Sequence, residues 1–287
     1  MMQTTMQTVR EIPELRAQLK QWRMAGERIA FVPTMGNLHQ GHLSLFEEAK
    51  KRADKVVVSI FVNPMQFDNP DDLNAYPKTI EQDSIKLQEM QTDLLFLPSR
   101  ETIYPKNLNN QTIVEVPDLS DQFCGDSRPG HFRGVTTVVN KLFNLVEPDV
   151  AIFGQKDYQQ LFIIRHMVTD LCMNVEIIGA PTKREASGLA MSSRNGYLDS
   201  SQLIQATVIY QALEEAKATL QQGNTDFAAV GKAATKRITD AGLGEDFFHI
   251  QNADTLADAQ AGDKHLVILV AAYLGKARLI DNMFFAV

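Results

Sequence analysis

The sequence predicts an α/β protein with a doubly wound, parallel (Rossmann-like) sheet and a second, smaller α+β domain at the C-terminal end. Two observations lead to this fold class. First, short β-branched runs alternate with helical segments, and the runs are apolar throughout, as expected for parallel strands covered on both faces. Second, the alternation gives way to two long helices followed by consecutive apolar runs. We therefore predict domains at residues 1–183 and 184–287.

The predicted elements follow one another in a regular order. The polar segment at residues 1–22 has helical spacing, carried by Glu11, Leu15, Leu19 and Trp22. The strands predicted for the first domain are Ile29–Val32, Val56–Val62, Leu94–Leu97, Val150–Phe153 and Val175–Ile178. The helices predicted between or after them are Leu43–Arg52, Ile80–Met90, Val138–Val146 and Tyr158–Leu171. The second domain is predicted to contain the helices Leu203–Leu220 and Phe227–Ala241 and the strands Phe247–Gln251, Leu266–Ala272 and Ala277–Ile280.

The composition argues against several classes of protein. The 287 residues include 35 acidic and 28 basic ones, a net charge of −7, whereas a protein that grips a long nucleic acid usually has a basic face. Cys124 and Cys172 match neither a disulfide framework nor a zinc motif. The longest apolar stretch, Leu266–Leu274, is about half of what a membrane span requires, and no apolar signal-peptide core precedes Trp22. These features predict a cytoplasmic protein with a small anionic ligand and without nucleic-acid or membrane partners.

The strongest functional signal is the stretch Pro33–His42, directly after the first apolar strand. Gly36 permits a tight turn, and we expect a helix to start near His42. A helix N-terminus offers main-chain N–H groups and the positive end of a dipole, which suit a phosphate. His39 and His42 are three residues apart, on one side of a first helical turn. Their imidazoles can donate hydrogen bonds to phosphate oxygens at the carboxyl end of a strand, where open α/β sheets bind ligands.

Two other interpretations of this stretch remain open. His39 and His42 are also spaced like two ligands of a metal, although no third ligand cluster stands nearby. They are likewise compatible with ordinary surface histidines on a turn. The sequence contains neither the G-x-G-x-x-G dinucleotide fingerprint nor the G-x-x-x-x-G-K-[ST] phosphate loop, so neither motif accounts for nucleotide binding.

A second polar segment, Leu189–Asn195, lies at the predicted domain boundary. It contains Ser192, Ser193 and Arg194. Two hydroxyls and a guanidinium suit triphosphate oxygens, because Arg forms a bidentate clamp and Ser donates in several directions. Alone, the segment is equally compatible with a solvent-exposed loop. Its pairing with the histidine motif favours a nucleotide site.

Three further segments lie at strand ends or before a helix. Phe61–Phe67 ends the second apolar strand, Phe153–Gln160 ends a later strand and opens a helix, and Arg128–Val135 precedes a helix. Lys156 is suited to reach a phosphate, with Asp157 near a ribose or near that lysine. Each segment alone is also compatible with ordinary turn chemistry.

These segments together resemble a known family. Pro33–His42 resembles the H-x-G-H signature of the nucleotidyltransferase superfamily, and Leu189–Asn195 resembles a variant of its K-M-S-K-S loop. With the three further segments, they resemble the pantothenate synthetase family. One departure is Ser187-Gly188, where the family usually has Asp-Gly. The loss of a carboxylate changes the charge of this loop and could alter its closure or its Mg²⁺ environment.

The resemblance implies roles for individual residues. His42 is implied to be the proton donor. His39, Lys156 and Arg194 are the further candidate catalytic residues, because with His42, Ser192 and Ser193 they are suited to stabilise charge that develops on phosphate oxygens. Gln66 is implied to bind pantoate and β-alanine, and Gln160 to bind pantoate. The residues implied to bind ATP, Lys183 through its main chain, are Met35, Gly36, Asn37, Leu38, His39, Gln40, Gly41, His42, Gly154, Gln155, Lys156, Asp157, Lys183, Met191, Ser192, Ser193 and Arg194. The family further implies Mg²⁺ as cofactor, without assigned protein ligands, and a homodimer.

The implied reaction joins pantoate to β-alanine in two steps through a pantoyl-adenylate, with release of pyrophosphate and then AMP. Two other functions remain open. One is a different nucleotidyl transfer with a dinucleotide-type product, against which the segments Asn63–Phe67 and Lys156–Gln160 argue. The other is a non-catalytic nucleotide-binding regulator, which the presence of every motif disfavours.

Overall fold

The computed structural model describes residues 6–287, so the start of the predicted N-terminal helical segment, residues 1–5, lies outside the described residues. The chain divides into two compact units. The first comprises Met1–Gln155 and Gln159–Pro181, and the second comprises Lys156–Tyr158 and Thr182–Val287. The three residues Lys156–Tyr158 therefore group with the C-terminal part of the chain, although they follow a strand of the first unit.

Residues 6–181 form six strands and eight α-helices of very different lengths. The strands are β1 (Gln7–Val9), β2 (Ile29–Thr34), β3 (Lys55–Ile60), β4 (Leu94–Phe96), β5 (Val150–Gly154) and β6 (Glu176–Ala180). The helices are α1 (Ile12–Met24), α2 (Gln40–Lys50), α3 (Pro70–Ala75), α4 (Ile80–Glu89), α5 (Arg100–Ile103), α6 (Cys124–Ser127), α7 (His131–Val146) and α8 (Tyr158–Asp170). Single 3₁₀ turns occupy Pro64–Gln66, Leu108–Asn110, Leu119–Asp121 and Gln155–Asp157.

The six strands form one parallel sheet in the order β1-β4-β3-β2-β5-β6. Alternate residues of each strand enter different cores. Phe31 of β2 packs in the core that includes residues of α1, α7 and α8, whereas Ala30 and Val32 pack in the core that includes residues of α2 and α4. The prediction of a doubly wound parallel sheet is thus confirmed. The strand order reverses at β2, which lies between β3 and β5, and the carboxyl ends of the strands at such a reversal are the usual ligand position in open α/β sheets.

Carboxylates close the opposite edge of the sheet. Asp54 Oδ2 accepts from Arg28 N, Asp149 Oδ2 from Ile29 N, and Asp93 Oδ2 from Val56 N, at 2.7–2.8 Å. These bonds satisfy main-chain donors at the amino ends of β2 and β3, where an unpaired buried N–H would be costly. Several of the segments that the sequence singled out for function follow the carboxyl ends of the strands, at the other edge of the sheet.

The second unit is built on an antiparallel sheet in the order β7-β8-β9. Its strands are β7 (Gly244–Asn252), β8 (His265–Leu274) and β9 (Ala277–Ala286). Its helices are α9 (Ser200–Gln205), α10 (Val208–Gln221) and α11 (Phe227–Asp240). Apolar residues of α10 and α11 share one core with residues from all three strands. The predicted α+β character of this region is confirmed, and a 3₁₀ turn at Ser193–Tyr197 precedes it.

Several element boundaries differ from the sequence predictions. The segment Gln7–Val9 forms an edge strand paired with β4. The sequence did not predict this strand, because three residues are too few to show a periodic pattern. α2 begins at Gln40, two residues before His42 and so close to its predicted start, whereas α7 begins at His131 and not at Val138. The predicted helix Leu203–Leu220 is two helices, α9 and α10, separated by Ala206–Thr207. Among residues 6–287, no helix has both the length and the apolar character needed to cross a membrane.

Gly134 of α7 allows this helix to approach the Pro64–Gln66 turn at backbone distance. An ideal Cβ at Gly134 would lie 2.3 Å from the carbonyl oxygen of Met65. We predict that Gly134→Ala lowers the free energy of unfolding by about 1–3 kcal/mol, because main-chain atoms must move apart. The loss is measured as a fall in the midpoint of thermal unfolding followed by circular dichroism.

The matched control is Gly231→Ala, in the interior of α11. There an added Cβ would meet only the Phe248 carbonyl oxygen at 3.8 Å, an ordinary contact. This substitution is expected to leave the midpoint unchanged or to raise it, because Ala is favoured over Gly in helices by up to about 1 kcal/mol. Equal midpoints for the two variants would contradict the close approach of α7.

Candidate active site

The stretch after β2 turns sharply before α2 begins. Gly36 and Asn37 both have positive φ, 83° and 52°. At Gly36 an added Cβ would also lie 3.1 Å from Asp83 Oδ2 and 3.1 Å from Ile60 Cγ2, so both conformation and space require glycine. The turn places the N-terminus of α2 at the carboxyl edge of the sheet, next to the reversal of strand order.

His39 and His42 hold one another at the start of α2. His39 is the N-cap residue, and its Nδ1 accepts from Gly41 N at 3.1 Å. His42 Nδ1 accepts from His39 N at 3.4 Å, and the two ring centroids are 4.1 Å apart. This is a capping box built from two imidazoles. A neutral imidazole whose Nδ1 accepts carries its proton on Nε2, so the neutral rings each present Nε2–H as a donor.

Helix α4 fixes the main chain of this turn, a role that the sequence analysis missed. The fully buried carboxylate of Asp83 accepts from Asn37 N and Leu38 N, both at 2.8 Å, and from Thr79 Oγ1 at 3.0 Å. One helical turn later, Lys86 Nζ donates to the Leu38 carbonyl at 2.6 Å. No motif identifies Asp83 in the sequence, because an acidic residue in a helix is usually solvated.

The Gln66 side chain is oriented by a buried network. Asn63 Nδ2 donates to Gln66 Oε1 and to the Gly134 carbonyl, both at 3.0 Å. Tyr104 Oη donates to Asn63 Oδ1 at 2.8 Å, and burial raises the pKa of this phenol, which keeps the donor proton in place. Because Gln66 Oε1 is an acceptor in this network, the Nε2 amide of Gln66 is the donor that remains for a ligand.

The segment Arg128–Val135, whose function the sequence did not specify, also holds Gln66. His131 Nδ1 donates to the Gln66 carbonyl at 2.8 Å, and Arg128 Nη2 donates to the same oxygen at 3.2 Å. The buried Gly134 of this segment admits the close approach described above. Side-chain and main-chain positions of Gln66 are therefore both determined by neighbouring polar groups.

The end of β5 and the start of α8 carry further predicted residues of the first unit. An ideal Cβ at Gly154 would lie 4.0 Å from Leu45 of α2, so the end of β5 lies beside this helix. Gln160 is half-buried. The preceding Gln159 is buried, donates to the carbonyls of Leu119 and Gln122, and accepts from Cys124 N at 3.1 Å. Gln159 thus anchors the 119–124 loop, which the sequence analysis did not anticipate.

Lys156 and Asp157 belong to the second unit. Lys156 Nζ lies 3.7 Å from Asp157 Oδ1, and only 16% of the lysine side chain is exposed. The Lys156 carbonyl accepts from Asn282 Nδ2 at 2.7 Å, and Tyr158 Oη donates to the Ala253 carbonyl at 3.1 Å. Two contacts to the antiparallel sheet region therefore hold this short stretch.

The predicted ATP residues near the domain boundary lie on a small hairpin and the loop after it. Met191 N donates to the Lys183 carbonyl at 3.0 Å, and Arg184 pairs with Ala190 as a β-bridge. Ser192 caps the 3₁₀ turn, its Oγ accepting from Arg194 N at 3.2 Å, so its hydroxyl proton remains for another acceptor. Ser187, the departure from the family pattern, is exposed at the tip of the hairpin.

Comparison with known proteins assigns the chain to a family. The family model described as pantoate-beta-alanine ligase matches residues 7–284. The chain belongs to the pantoate-beta-alanine ligase family. A pantothenate synthetase of Shewanella denitrificans is 56% identical over 282 residues, which are 97% of this chain and 99% of that protein. The resemblance drawn from the sequence is therefore confirmed.

Solved structures of the pantoate-beta-alanine ligase family support the fold. A pantothenate synthetase from Thermus thermophilus is similar with a TM-score of 0.91 and 43% identity, over 97% of this chain and 99% of that one. A pantoate-beta-alanine ligase from Francisella tularensis, complexed with beta-gamma ATP and β-alanine, is similar with a TM-score of 0.82 and 37% identity, over 97% of both chains.

Each unit of this pantoate-beta-alanine ligase family member brings together part of the predicted site. The first holds Met35–His42, Gln66, Gly154–Gln155 and Gln160 at or next to the carboxyl edge of its sheet. The second holds Lys156–Asp157, Lys183 and Met191–Arg194. The roles of these residues stay predictions.

We predict that Asp83→Asn releases the main chain of the histidine turn. Asp83 Oδ2 accepts from Asn37 N and Oδ1 from Leu38 N, and an amide replaces one of these two acceptors with an NH₂ donor. A hydrogen bond to a charged acceptor contributes about 1.5–3 kcal/mol. Amide hydrogen exchange at Asn37 and Leu38, measured by NMR, should accelerate by about 10–100-fold.

Asp93→Asn is the control for this prediction, because its carboxylate also accepts a main-chain N–H, that of Val56, at the amino edge of the same sheet. It should leave the exchange of Asn37 and Leu38 unchanged. If both substitutions accelerate these two amides equally, Asp83 has no specific role in the turn.

Proposed function

We propose that this chain is an AMP-forming ligase that condenses pantoate with β-alanine at the expense of ATP, through a pantoyl-adenylate. The observation that carries the proposal is the imidazole capping box at the N-terminus of α2, in a member of the pantoate-beta-alanine ligase family. Two Nε2–H donors and a helix N-terminus suit the oxygens of a phosphate group. The reversal of strand order beside them is the usual ligand position in such sheets.

In the first step, a carboxylate oxygen of pantoate attacks the α-phosphorus of ATP. A new P–O bond forms, the bond to the bridging oxygen breaks, and pyrophosphate leaves. Negative charge develops on the bridging and pyrophosphate oxygens, where fixed donors are most effective. We assign this stabilisation to His39, His42, Lys156 and Arg194, with the hydroxyls of Ser192 and Ser193, and the rest of the ATP contacts to the neighbouring main chain of Met35–Gly41 and of Gly154–Asp157.

Gln66 and Gln160 are proposed to bind pantoate. The amide of Gln66 presents its Nε2 as a donor, because its oxygen accepts from Asn63. Such a donor suits the carboxylate or a hydroxyl oxygen of pantoate without adding charge that would compete with ATP. The buried Asn63 and the Arg128–Val135 segment support this orientation.

Mg²⁺ fits the proposed site as the counter-ion of the ATP phosphates. Residues 6–287 contain no cluster of three or more His, Cys, Asp and Glu side chains suited to a metal. Mg²⁺ is usually bound by substrate phosphates with one or two carboxylates, and Asp157, next to Lys156, is the carboxylate that we propose. When bound, the ion neutralises phosphate charge.

In the second step, the neutral amine of β-alanine attacks the acyl carbon of the adenylate. The C–N bond forms, the C–O bond to AMP breaks, and the amine gives up one proton to solvent. Neither step requires a covalent acyl-enzyme, and we propose none.

We further propose that residues 1–183 bind ATP and pantoate and that residues 184–287 act as a lid domain. The homodimer and the cytoplasmic location stay predictions.

The order of steps is tested by isotope exchange. With ATP, Mg²⁺ and pantoate present and β-alanine absent, labelled pyrophosphate should exchange into ATP, because the adenylate forms reversibly before the amine binds. An acyl-phosphate route would release ADP and give no exchange with pyrophosphate. A concerted reaction would show no exchange until β-alanine is added. A different nucleotidyltransferase or a non-catalytic regulator would show no pantoate-dependent exchange and no AMP on addition of β-alanine.

We predict that His42→Ala lowers the rate of adenylate formation by about 10²–10³-fold, because it removes an electrostatic donor. The substitution also removes the acceptor for His39 N, so His42→Glu serves as the control. Glutamate is a normal capping-box residue at this position and retains that acceptor, but when ionised it has no proton to donate. Exchange rates near wild type for His42→Glu would show that capping, and not donation to phosphate, is the function of His42.

A further inference from the structure

The second unit contains a buried ion pair that no sequence motif predicts. Arg184 donates to Asp281 through both terminal nitrogens, Nη1 to Oδ2 at 2.5 Å and Nη2 to Oδ1 at 3.0 Å. Only 4% of the Asp281 side chain and 20% of the Arg184 side chain are exposed. The guanidinium also lies over the ring of Tyr210, with its carbon 4.5 Å from the centroid.

The same guanidinium holds the hairpin that carries predicted ATP residues. Arg184 Nη1 donates to the Gly188 carbonyl at 3.1 Å, across the hairpin tip. Arg184 is itself bridged to Ala190, and the neighbouring Lys183 carbonyl accepts from Met191 N. The position of Met191, where the Met191–Arg194 loop begins, therefore depends on a hairpin that is tied to Asp281 of β9.

Asn282 connects the ion pair with Lys156. Asn282 N donates to Asp281 Oδ1 at 2.8 Å, and the Asn282 carbonyl accepts from Arg184 Nη2 at 3.2 Å. Its side-chain amide donates to the Lys156 carbonyl at 2.7 Å. One strand of the antiparallel sheet thus contacts both sequence segments of this unit that are predicted to face the ATP phosphates.

We propose that Arg184 and Asp281 are positioning residues for ATP, which act through Asn282 and the 183–191 hairpin to fix Lys156 and the Met191–Arg194 loop in one frame. The inference rests on the proposed function for the roles of Lys156 and Arg194. Two cations that meet one triphosphate must be held at a fixed separation, because small displacements of catalytic groups reduce rates steeply. Lysine and arginine side chains are long and flexible, so their main chain has to supply this constraint.

The test compares two matched substitutions in the second unit. Asp281→Asn removes the charge opposite Arg184. The control, Asp246→Asn, removes the charge of another ion pair of low exposure, which joins Asp246 of β7 to Arg278 Nη2 of β9 at 2.6 Å. For each variant, the thermal midpoint, the ATP dissociation constant by calorimetry, and the KM values for ATP and for pantoate in pyrophosphate exchange are measured.

Asp281→Asn should weaken ATP binding and raise the KM for ATP by about 10–100-fold, with the KM for pantoate unchanged. Asp246→Asn should lower the thermal midpoint and leave all three constants within about twofold of wild type, as expected for a loss of stability alone. Asn282→Ala, which removes the donor to Lys156, should reproduce the ATP defect. Equal ATP constants for Asp281→Asn and Asp246→Asn would overturn the proposal.

If Asp281→Asn does not fold, the ATP affinity of Arg184→Lys tests the positioning role instead. Lysine keeps the charge opposite Asp281 but cannot contact Asp281, Gly188 and Asn282 together through a planar fork. It should fold and still weaken ATP binding, and unchanged ATP affinity would reject the positioning role. The proposed function fails separately if the wild-type chain binds ATP but shows no pantoate-dependent exchange of pyrophosphate into ATP. The ATP affinities of the variants still test the positioning role in that case.

Discussion

The carboxylate of Asp83, fully buried on α4, accepts two main-chain N–H groups of the turn between β2 and α2. A buried charge is costly unless it is hydrogen-bonded, and here Thr79 Oγ1 adds a third donor. The positive φ values of Gly36 and Asn37 become favourable in this setting. Asp83 thereby holds the two residues directly before His39, the N-cap residue of α2.

Buried polar side chains in both units hold residues that are predicted to bind ligands. Asn63 holds the side chain of Gln66 and His131 holds its main chain, and Asp281 holds the 183–191 hairpin through Arg184. Removal of any one partner would leave a desolvated group unpaired. Buried polar side chains such as Asp83 and Asp281 therefore lie beside these segments, whereas the cores of both units consist of apolar residues.

The two edges of the parallel sheet differ in their polar residues: those at the amino edge bind strand N–H groups, and those at the carboxyl edge include the predicted site residues. At the amino edge, Asp54, Asp93 and Asp149 satisfy strand N–H groups and carry no predicted role. At the carboxyl edge, the loops after β2, β3 and β5 and the first turns of the helices that follow them carry the glycines, histidines and glutamines of the predicted site. Parallel strands all point the same way, so these loops meet at one edge although they are distant in sequence.

The sequence alone predicted the fold class, the strands β2 to β6, the family, and the segments at strand ends that hold the candidate site. It did so because apolar periodicity and the chemistry of short motifs are local properties of the chain. It did not determine the edge strand β1, the break between α9 and α10, or the contacts of Asp83, Asn63 and Asp281. These depend on partners far away in the sequence: Asp83 meets Leu38 across 45 positions, and Arg184 meets Asp281 across 97. Only the tertiary structure decides such pairings, because the free energy of burying a charge is set by the donors that folding brings to it.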